Sequence, residues 1–490
     1  MQLASIEFLF FLAIASTIFY ILPIRFRWVW LLVLSLGFCA IVSLESLPIL
    51  ASVVVISYFL GRGIESAGPP YRRIVFYSGF VLLVSILVAF KFTPLYGSLQ
   101  QRLSHFLNRL PEDPIAGVLL PMGLSFVVFT ALSYLLEIHY RRISAERNFG
   151  ILALHLLLFF KLTQGPIERP APLIAQLRHR FVFDDIAIMV GLKRILWGFF
   201  KKMFIADRLA LYVNAVFGNA SRHNGTSLLM AAIFYSFQVY ADFSGYTDIA
   251  LGSALLFNIR LSENFRRPYF AKSIREFWGR WHISFSSWLR DYLYLPLASF
   301  LSRKLRHPYY LKIQTEHWIY SLATLITFAI CGLWHGNGLN YVLWGLLFGV
   351  YLVVGRLTHR WRKRMRTKLG FKPLGKRSPI VQIVATFVLV TIAWIFFRIP
   401  DLRTIVLVFK KILTQPGIPF GYAAPMMIPF SLLGIFALLL LESRDEFYRG
   451  ALSFFRNKRL WVRLLSHAFL VIVILLFGVL DSGQFIYFQF

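Results

Sequence analysis

The residue of this chain with the clearest potential for chemistry is His335, which lies between two long apolar runs. One run extends from Ile319 to Ile330, and the other from Leu339 to Val354. Each could reach most of the way across a bilayer, whose hydrocarbon core takes about 20 helical residues. An ionisable side chain at that depth costs free energy, so its usual explanation is functional. The alternative is a helix-end histidine that only forms a hydrogen bond, and its neighbours must decide between the two.

A second group of polar residues begins in the stretch from residue 234 to residue 248. Four of them stand among aromatic residues, where a lipid-facing helix would carry apolar ones: Gln238, Asp242, Ser244 and Asp248. Burying such groups without partners costs about a few kcal/mol each. For the two aspartates we favour a structural role, in which they tie broken helices together. We therefore predict a helix over 226–241, followed by an interrupted region up to Tyr310.

Tryptophans at helical spacing follow in the same region. Trp278, Trp281, Phe285 and Trp288 recur at intervals of three and four residues, which predicts one aromatic stripe on a single helix. His282 follows Trp278 by four residues and is expected beside that stripe. Charged residues lie towards both ends of the segment: Arg275, Glu276, Arg280, Arg290 and Asp291. The pattern predicts an amphipathic helix at the membrane boundary, and a purely anchoring role for its tryptophans stays open.

The composition places the chain in a membrane. Of its 490 residues, 58% are hydrophobic and only 15% are charged, whereas a soluble domain has about 25% charged residues. The net charge of +30 does not indicate a nucleic-acid partner, because the basic residues form short runs between apolar segments. Such runs stay in the cytoplasm. The run 356–377 has ten Lys or Arg and no acid, and we expect it to lie against anionic lipid headgroups.

The apolar segments predict an all-α, multi-pass membrane protein with a single domain over residues 1–490. About eleven membrane-spanning helices result, with the N-terminus outside, the basic loops in the cytoplasm and the turn after His335 towards the outer side. The stretch from Phe149 to Pro170 is too short to span and is broken by glycine and prolines, so we predict a re-entrant or tilted element there. The main predicted helices are 5–22, 28–44, 47–61, 74–90, 117–138, 186–204, 226–241, 318–334, 339–355, 378–397, 425–442 and 464–480. Two isolated cysteines, Cys39 and Cys331, predict no metal site.

Four runs of residues resemble the membrane-bound O-acyltransferase (MBOAT) family. They are Asp242-Phe-Ser-Gly-Tyr-Thr-Asp248, Glu276-Phe-Trp-Gly-Arg-Trp-His-Ile-Ser284, Trp288-Leu-Arg-Asp-Tyr-Leu-Tyr294 and Gly332-Leu-Trp-His-Gly336. They look most like the bacterial branch of alginate O-acetyltransferases and teichoic-acid D-alanyl transfer proteins. Further runs at 165–169, 201–207 and 485–490 resemble the alginate subgroup in particular.

The resemblance implies a ring of helices with a central tunnel and funnel, and a catalytic region near residues 234–355. The family's catalytic histidine corresponds to His335, and its second key histidine to His282. Two departures concern the acceptor more than the chemistry: an unusual Asn337–Asn340 segment, and Phe348-Gly349 where many relatives have His-Gly. The implied supporting or tunnel residues are Gln238, Asp242, Ser244, Asp248, Trp278, Trp281, Arg290, Asp291, Trp334 and Gly336.

What the resemblance implies is O-acyl transfer at a histidine. His335 would deprotonate an acceptor hydroxyl as it attacks a thioester carbonyl, and His282 would orient His335 or a reactant. The oxyanion could be stabilised by His282 or by backbone amides near Gly336. A transient acyl-histidine stays open as a second route. A relay through Cys331 is less favoured, because a lone cysteine in an apolar helix usually only packs.

The resemblance also implies the substrates. The donor would be acetyl-coenzyme A or the phosphopantetheine of an acyl carrier protein, used as a co-substrate with no permanently bound cofactor. The acceptor would be an exported polysaccharide at a bacterial inner membrane, reached together with an extracytoplasmic acetyltransferase or esterase-like partner. Two alternatives remain: D-alanyl transfer towards teichoic acid or another wall polymer, and a transporter or channel without covalent chemistry.

Overall fold

The computed structural model of this chain is helical almost throughout, which confirms the all-α prediction. The structure describes residues 3–91, 121, 123–179, 181–336, 338–368, 378–421, 426–447 and 459–479. Within these ranges, two short strands, β1 (Tyr309–Tyr310) and β2 (Ile313–Gln314), pair antiparallel in a small hairpin.

Many of the helices have the length and composition of membrane spans. In the described part of the chain seven meet both criteria: Ile24–Val42, Ser46–Ser66, Pro69–Lys91, Thr315–His335, Leu339–Leu357, Pro379–Arg398 and Met427–Phe447. Three shorter apolar helices are Ile6–Ile21, Leu124–His139 and Trp461–Phe477. The chain is therefore a multi-pass membrane protein, and the number of about eleven spans stays a prediction.

The chain divides into two compact units. The first comprises residues 1–195 and 246–262. At its centre lies α5, in which every residue except Phe126, Glu137 and His139 is buried. The helices that begin in this unit are α1 (Ile6–Ile21), α2 (Arg27–Val42), α3 (Ser46–Ser66), α4 (Pro69–Lys91), α5 (Leu124–His139), α6 (Phe149–Leu157), α7 (Pro170–Arg178) and α8 (Asp185–Phe199).

The segment between α6 and α7 has the short, broken form that its glycine and prolines predict. α6 has only 9 residues, too few to cross a bilayer. The turns that follow bury Lys161 and Glu168. Glu168 accepts hydrogen bonds from the backbone amide (2.6 Å) and the hydroxyl (3.0 Å) of Ser262. This polar segment is therefore held by contacts inside the first unit.

The second unit comprises residues 196–245 and 263–490 and contains both predicted histidines. It has two π-helical segments, Phe200–Ala206 and Arg290–Tyr294, and short 3-10 turns at Ala220–Arg222 and Pro268–Phe270. Its helices are α9 (Asp207–Gly218), α10 (Gly225–Leu255, which continues into the first unit), α11 (Ile274–Trp278), α12 (Ile283–Leu289), α13 (Leu295–Lys304), α14 (Thr315–His335), α15 (Leu339–Leu357), α16 (His359–Lys368), α17 (Ser378–Arg398), α18 (Leu402–Thr414), α19 (Met427–Phe447) and α20 (Leu460–Phe477).

The predicted break of the chain at Asp242 is wrong, because α10 runs without interruption from Gly225 to Leu255. Asp242 pairs with Lys202 at 2.8 Å, so its carboxylate is satisfied without opening the helix. Gly245 also lets the neighbouring backbone approach, since a Cβ there would lie 2.9 Å from the carbonyl oxygen of Gly198. The interrupted region begins only after residue 255.

The single amphipathic helix predicted around the tryptophans is also wrong. The segment forms two short helices, α11 and α12, separated by residues 279–282. The backbone there bonds to residues 264–266 instead of continuing as a helix: Ile283 N–H donates to Asn264 O and Arg266 N–H donates to Arg280 O, both at 2.9 Å. Trp278 and His282 therefore do not share one helical face.

The hairpin of α14 and α15 is packed through glycines. A Cβ on Gly332 would meet the carbonyl oxygen of Tyr341, and a Cβ on Gly345 would meet that of Phe328. Only glycine permits this approach of the two backbones, and small residues at helix interfaces in membranes commonly have this role. The close contact fixes the position of the turn that carries His335.

Candidate active site

His335 is the last residue of α14 and is almost completely buried, with 4% of its surface exposed. Its imidazole lies edge-on to Trp344 and to Phe397, with ring centroids 4.9 and 5.1 Å away. The helix ends here because Gly336 adopts an extended backbone, and a Cβ on Gly336 would lie 2.5 Å from the ring of Tyr341. The site therefore presents an imidazole at the end of a membrane-spanning helix, held among aromatic rings.

His282 is held by its backbone as well as by its side chain. It has a left-handed conformation (φ 43°, ψ 56°) at the start of α12, and it is 2% exposed. Its Nδ1 atom lies 3.0 Å from Oδ1 of Asn264. A left-handed non-glycine residue is uncommon and is a feature of tightly constrained sites.

The contacts of Asn264 define which nitrogen of His282 carries the proton. Oδ1 of Asn264 also accepts hydrogen bonds from the backbone amide and the hydroxyl of Ser284, at 3.2 and 2.8 Å. Because a backbone amide can only donate, this atom of Asn264 must be the oxygen. A neutral His282 must then donate from Nδ1, which leaves the lone pair on Nε2.

Burial also determines the charge of His282. Removal from solvent lowers the pKa of its imidazole to about 3, because the charged form loses its hydration. The side chain is therefore neutral near pH 7. It can accept a hydrogen bond at Nε2, but with this low pKa it is a weak base.

One phenylalanine joins the two histidines. The ring of Phe285 lies 5.1 Å from that of His282 and 6.4 Å from that of His335. It also packs against Trp334, with ring centroids 4.4 Å apart. The structure thus brings both histidines and Trp334 together around a ring that the sequence suggested only as part of a stripe.

Two other predicted tryptophans support this cluster from a distance. Trp278 packs against Phe348 and Trp344, at 5.1 and 6.1 Å, and Trp344 in turn contacts His335. Trp281 is 2% exposed and packs against Trp394, with ring centroids 5.0 Å apart. Both side chains build the aromatic core behind the imidazole.

The polar residues of α10 form a separate network in the second unit. Lys202 bridges Asp242 and Asp207 at 2.8 and 2.6 Å, and all three are buried. Lys201 donates to Ser244 at 2.9 Å. Between these positions Phe243 packs edge-on against His282, with ring centroids 4.8 Å apart. Asp242 therefore has an ion-pair partner on an unbroken helix, and α10 contributes to the site through Phe243.

The remaining predicted polar residues occupy different surroundings. Asp248 pairs with Arg194 at 2.9 Å inside the first unit. Arg290 pairs with its neighbour Asp291 at 2.7 Å, with the arginine side chain 64% exposed. Gln238 is buried on α10. None of these contacts links the residue to the histidine pair in the described part of the chain.

A line of small polar residues on α14 was missed by the sequence analysis. Thr324, Thr327 and Cys331 are buried and precede His335 at helical intervals of three and four, so they share its face. Neither threonine hydroxyl has a hydrogen-bond partner among the described residues. Buried hydroxyls without a protein partner are uncommon. The helical spacing of Thr324 and Thr327 with His335 was the signal available.

Asn264 was also missed, although it lies in the run Glu263-Asn-Phe. Its contacts with His282 and Ser284 join residues 18 and 20 positions apart. The spacing of residues along the sequence does not predict such a contact. Among the described residues, no group of three His, Cys, Asp or Glu side chains could hold a metal ion.

The surroundings of His335 differ between its two sides. Gly336 and Gly338, in the turn after it, are partly exposed. In the other direction along α15 lie Trp344 and Phe348, which are 1% and 0% exposed. The turn residues beside the imidazole are thus more exposed than these two aromatic residues of α15.

Comparisons of this sequence with known proteins agree on one family. A sequence model described as the membrane-bound O-acyltransferase family matches residues 148–399. A probable alginate O-acetylase from Pseudomonas putida is 31% identical over 521 aligned positions, covering all of this chain and all of that protein. A peptidoglycan O-acetyltransferase from Helicobacter pylori is 30% identical over 79% of this chain and 74% of its own length. A teichoic acid D-alanyltransferase from Bacillus subtilis is 24% identical over 65% of this chain and 78% of its own length.

Proposed function

We infer the reaction from one premise: the chain belongs to the membrane-bound O-acyltransferase family and is a multi-pass membrane acyltransferase. On this premise we propose that it moves an acetyl group from a cytoplasmic thioester to a hydroxyl of an exported polysaccharide, or of a partner protein at the outer face. The observation that carries the proposal is the pair of buried histidines, His282 and His335, that pack against Phe285.

His335 is the general base in this proposal. It takes the proton of the acceptor hydroxyl as the oxygen attacks the thioester carbonyl, so the C–O bond forms and the C–S bond breaks. The proton then passes from His335 to the departing thiolate, which leaves as a thiol. Its position at the end of α14, one residue before the partly exposed Gly336, supports this role.

His282 is a positioning residue. With its proton on Nδ1, its Nε2 atom can accept a hydrogen bond from the acceptor hydroxyl or from the protonated His335. An acceptor at Nε2 does not stabilise an oxyanion, so we assign that task to backbone amides near Gly336.

The two reactants approach His335 from opposite directions in this proposal. Thr324 and Thr327 lead from His335 towards the start of α14, which lies at the same end of the hairpin as the basic helix α16. The donor arm would follow this line from the cytoplasm. The acceptor would enter at the turn beside Gly336 and Gly338.

The relatives favour acetyl over D-alanyl as the group transferred. The two O-acetyltransferase relatives are 31% and 30% identical to this chain, against 24% for the D-alanyltransferase. We propose acetyl-coenzyme A or an acetyl carrier protein as the donor. D-alanyl transfer from a carrier protein is the second candidate, and the match to the teichoic acid protein is the observation that supports it.

The test is polymer acetylation in cells that depend on this chain for it. His335→Ala should lower incorporation of labelled acetyl groups by about 100-fold or more, which is the usual contribution of a general base. Cys331→Ser is the matched control, because Cys331 is equally buried and lies one turn away. It should retain activity within about two-fold, since packing is its expected role.

Three results would count against the proposal. Full acetylation by His335→Ala would favour a transporter without covalent chemistry. Loss of acetylation in a folded Cys331→Ser protein would favour a thiol relay. Transfer of labelled D-alanine from a carrier protein, with no transfer from an acetyl donor, would replace acetyl by D-alanyl.

A further inference from the structure

A large cavity lies in the second unit at the basic end of the α14–α15 hairpin. Its volume is about 910 Å³, and it is lined by the starts of α11, α14 and α16, the end of α15 and residues 382–389 of α17. Ligand sites typically occupy ~300–1,000 Å³. We call it the basic cavity.

Positive charge dominates its lining. Among the described residues that line the basic cavity, Glu316 is the one acid. The five basic residues are Lys272, Arg275, Arg356, Arg360 and Arg362. The guanidinium of Arg356 stacks 4.2 Å over the ring of Tyr320, which holds it at the wall. Arg362 donates a hydrogen bond to the carbonyl oxygen of Gly355 at 2.8 Å. Part of the charge is thus fixed in place before any ligand binds.

Part of the remaining lining is apolar and belongs to membrane-spanning helices. Val354 and Leu357 on α15 are 50% and 44% exposed, and Leu389 on α17 is 36% exposed. Both helices are long and apolar enough to cross the bilayer. Exposed apolar side chains on such helices contact lipid chains, so the cavity is continuous with the lipid-facing surface.

An aromatic layer separates the basic cavity from His335. Tyr351 lines the cavity, and further along α15 come Phe348 and Trp344, which are fully buried and in ring contact at 5.5 Å. Trp394 of α17 stacks on Trp344 at 5.8 Å. These rings therefore lie between the Tyr351 wall of the cavity and His335.

We propose that the basic cavity binds an anionic phospholipid. The lipid phosphate contacts the basic side chains, and its acyl chains follow the apolar surfaces of α15 and α17. Basic pockets between membrane-spanning helices recognise phosphate headgroups in this way. With five basic residues against one acid, the cavity prefers a lipid with two phosphates over a lipid with one. The inference does not depend on the proposed acyl transfer.

The experiment uses the full-length protein, purified in detergent, with lipid binding followed by native mass spectrometry and by the shift in unfolding temperature. The probes are cardiolipin, phosphatidylglycerol, phosphatidylcholine, coenzyme A and inorganic phosphate. We expect binding in the order cardiolipin, then phosphatidylglycerol, with phosphatidylcholine at least about ten-fold weaker, because each basic contact near a lipid surface adds to affinity.

Two pairs of substitutions on one helix supply a matched control. Arg360→Gln with Arg362→Gln removes two lining charges, and Lys363→Gln with Arg364→Gln removes two charges of α16 that are not among the lining residues. The first pair should weaken cardiolipin binding by about ten-fold or more. The second should change it by less than about two-fold. Ala385→Trp, which fills the cavity without changing charge, should also weaken binding.

Several outcomes would overturn the proposal. Equal loss of cardiolipin binding in both double variants would show only general attraction to a basic surface. Equal binding of phosphatidylcholine, whose headgroup has no net charge, would remove the selectivity for anionic lipid. Displacement of bound lipid by coenzyme A would make the cavity a donor site instead. His335→Ala should bind cardiolipin normally, so a failed acyltransferase test and a failed lipid test can be told apart.

Discussion

Three constraints act on His282 at once: a left-handed backbone, a hydrogen bond to Asn264 and complete burial of the ring. The first fixes the direction of the side chain, the second fixes the tautomer, and the third keeps the imidazole neutral. Together they present the lone pair of Nε2 in one orientation. A side chain held in this way is suited to positioning a reactant, whereas His335 at the helix end is suited to exchanging a proton.

The orientation of His282 can be tested through Asn264. Asn264→Ala removes the acceptor of the Nδ1 proton and should lower kcat by about 10–100-fold with little change in KM, because a small misplacement of a positioning group has effects of this size. Ser284→Ala is the control, since it removes only one of the donors to Asn264. Steady-state kinetics in membranes would measure both. An Asn264→Ala protein with normal kcat would contradict the role of the tautomer.

The lowered pKa of His282 predicts a loss of stability in acid. In the unfolded chain a histidine has a pKa near 6.5, and in the folded protein the pKa is about 3. Below pH 6.5 only the unfolded state takes up the proton, so stability is complete above that pH and falls as pH decreases towards 3. The loss is roughly 1 kcal/mol per pH unit. Unfolding temperatures in detergent at pH 7.5 and pH 5 would measure it.

His282→Asn is the matched variant for this measurement. Asparagine tolerates the left-handed backbone and does not titrate, so its unfolding temperature should fall less between pH 7.5 and pH 5. If both proteins lose the same stability over that range, other groups determine the acid sensitivity.

Among the elements, the π-helical segment Phe200–Ala206 has the clearest physical reason for its irregular form. It places Lys202 between Asp207 and Asp242, where all three side chains are buried. π-helical turns are rare and are frequent at functional sites. Here the turn holds α10, whose Phe243 packs on His282. The network therefore acts on the site through the position of α10.

Removing the central charge of this network should destabilise the protein strongly. Lys202→Met leaves two carboxylates buried together, which costs about 3–5 kcal/mol when one partner of a buried pair is lost. Lys201→Met is the adjacent control, because Lys201 donates to a neutral hydroxyl. The apparent unfolding temperature should fall much further for Lys202→Met. Adding Asp207→Asn and Asp242→Asn should recover part of the loss, and an unchanged Lys202→Met protein would rule out a stabilising ion network.

The sequence predicted those helices whose limits depend on local pattern. The predicted helix 339–355 is observed as Leu339–Leu357, and 378–397 as Ser378–Arg398, because long apolar runs end at polar or glycine positions. The continuation of α10 through Asp242 was not predictable, since it depends on Lys202, 40 positions earlier in the chain. The break before α12 likewise depends on bonds to residues 264–266.

The site likewise combines residues that could be found from local pattern with residues that depend on distant contacts. His335 and His282 could be singled out because a histidine in an apolar environment is unusual and because their motifs resemble a family. Their common neighbour Phe285 was visible only as one ring in a stripe. Asn264 could not be found, because an asparagine in a loop has many ordinary explanations and its contact with His282 is tertiary.

At the scale of the whole chain, the feature that bears on its orientation in the membrane is that the α14–α15 hairpin has two chemically different ends. His335 lies at the turn of the hairpin, while the start of α14 and the end of α15 lie together at the other end, next to the basic helix α16. Basic segments stay in the cytoplasm. The turn with His335 is therefore expected at the outer face, towards the acceptor.

Cysteine labelling tests this orientation directly, and we expect little labelling of the native cysteines. Its two native cysteines, Cys39 and Cys331, are 3% and 0% exposed. A membrane-impermeant maleimide added to intact cells should label Leu339→Cys, because Leu339 is 58% exposed at the turn. Lys363→Cys, on the exposed surface of α16, should react only after the membrane is opened. If both positions react from outside, the two ends of the hairpin cannot lie on opposite faces. If the pattern is reversed, the positive-inside assignment is wrong and the acceptor would have to reach His335 from the cytoplasm.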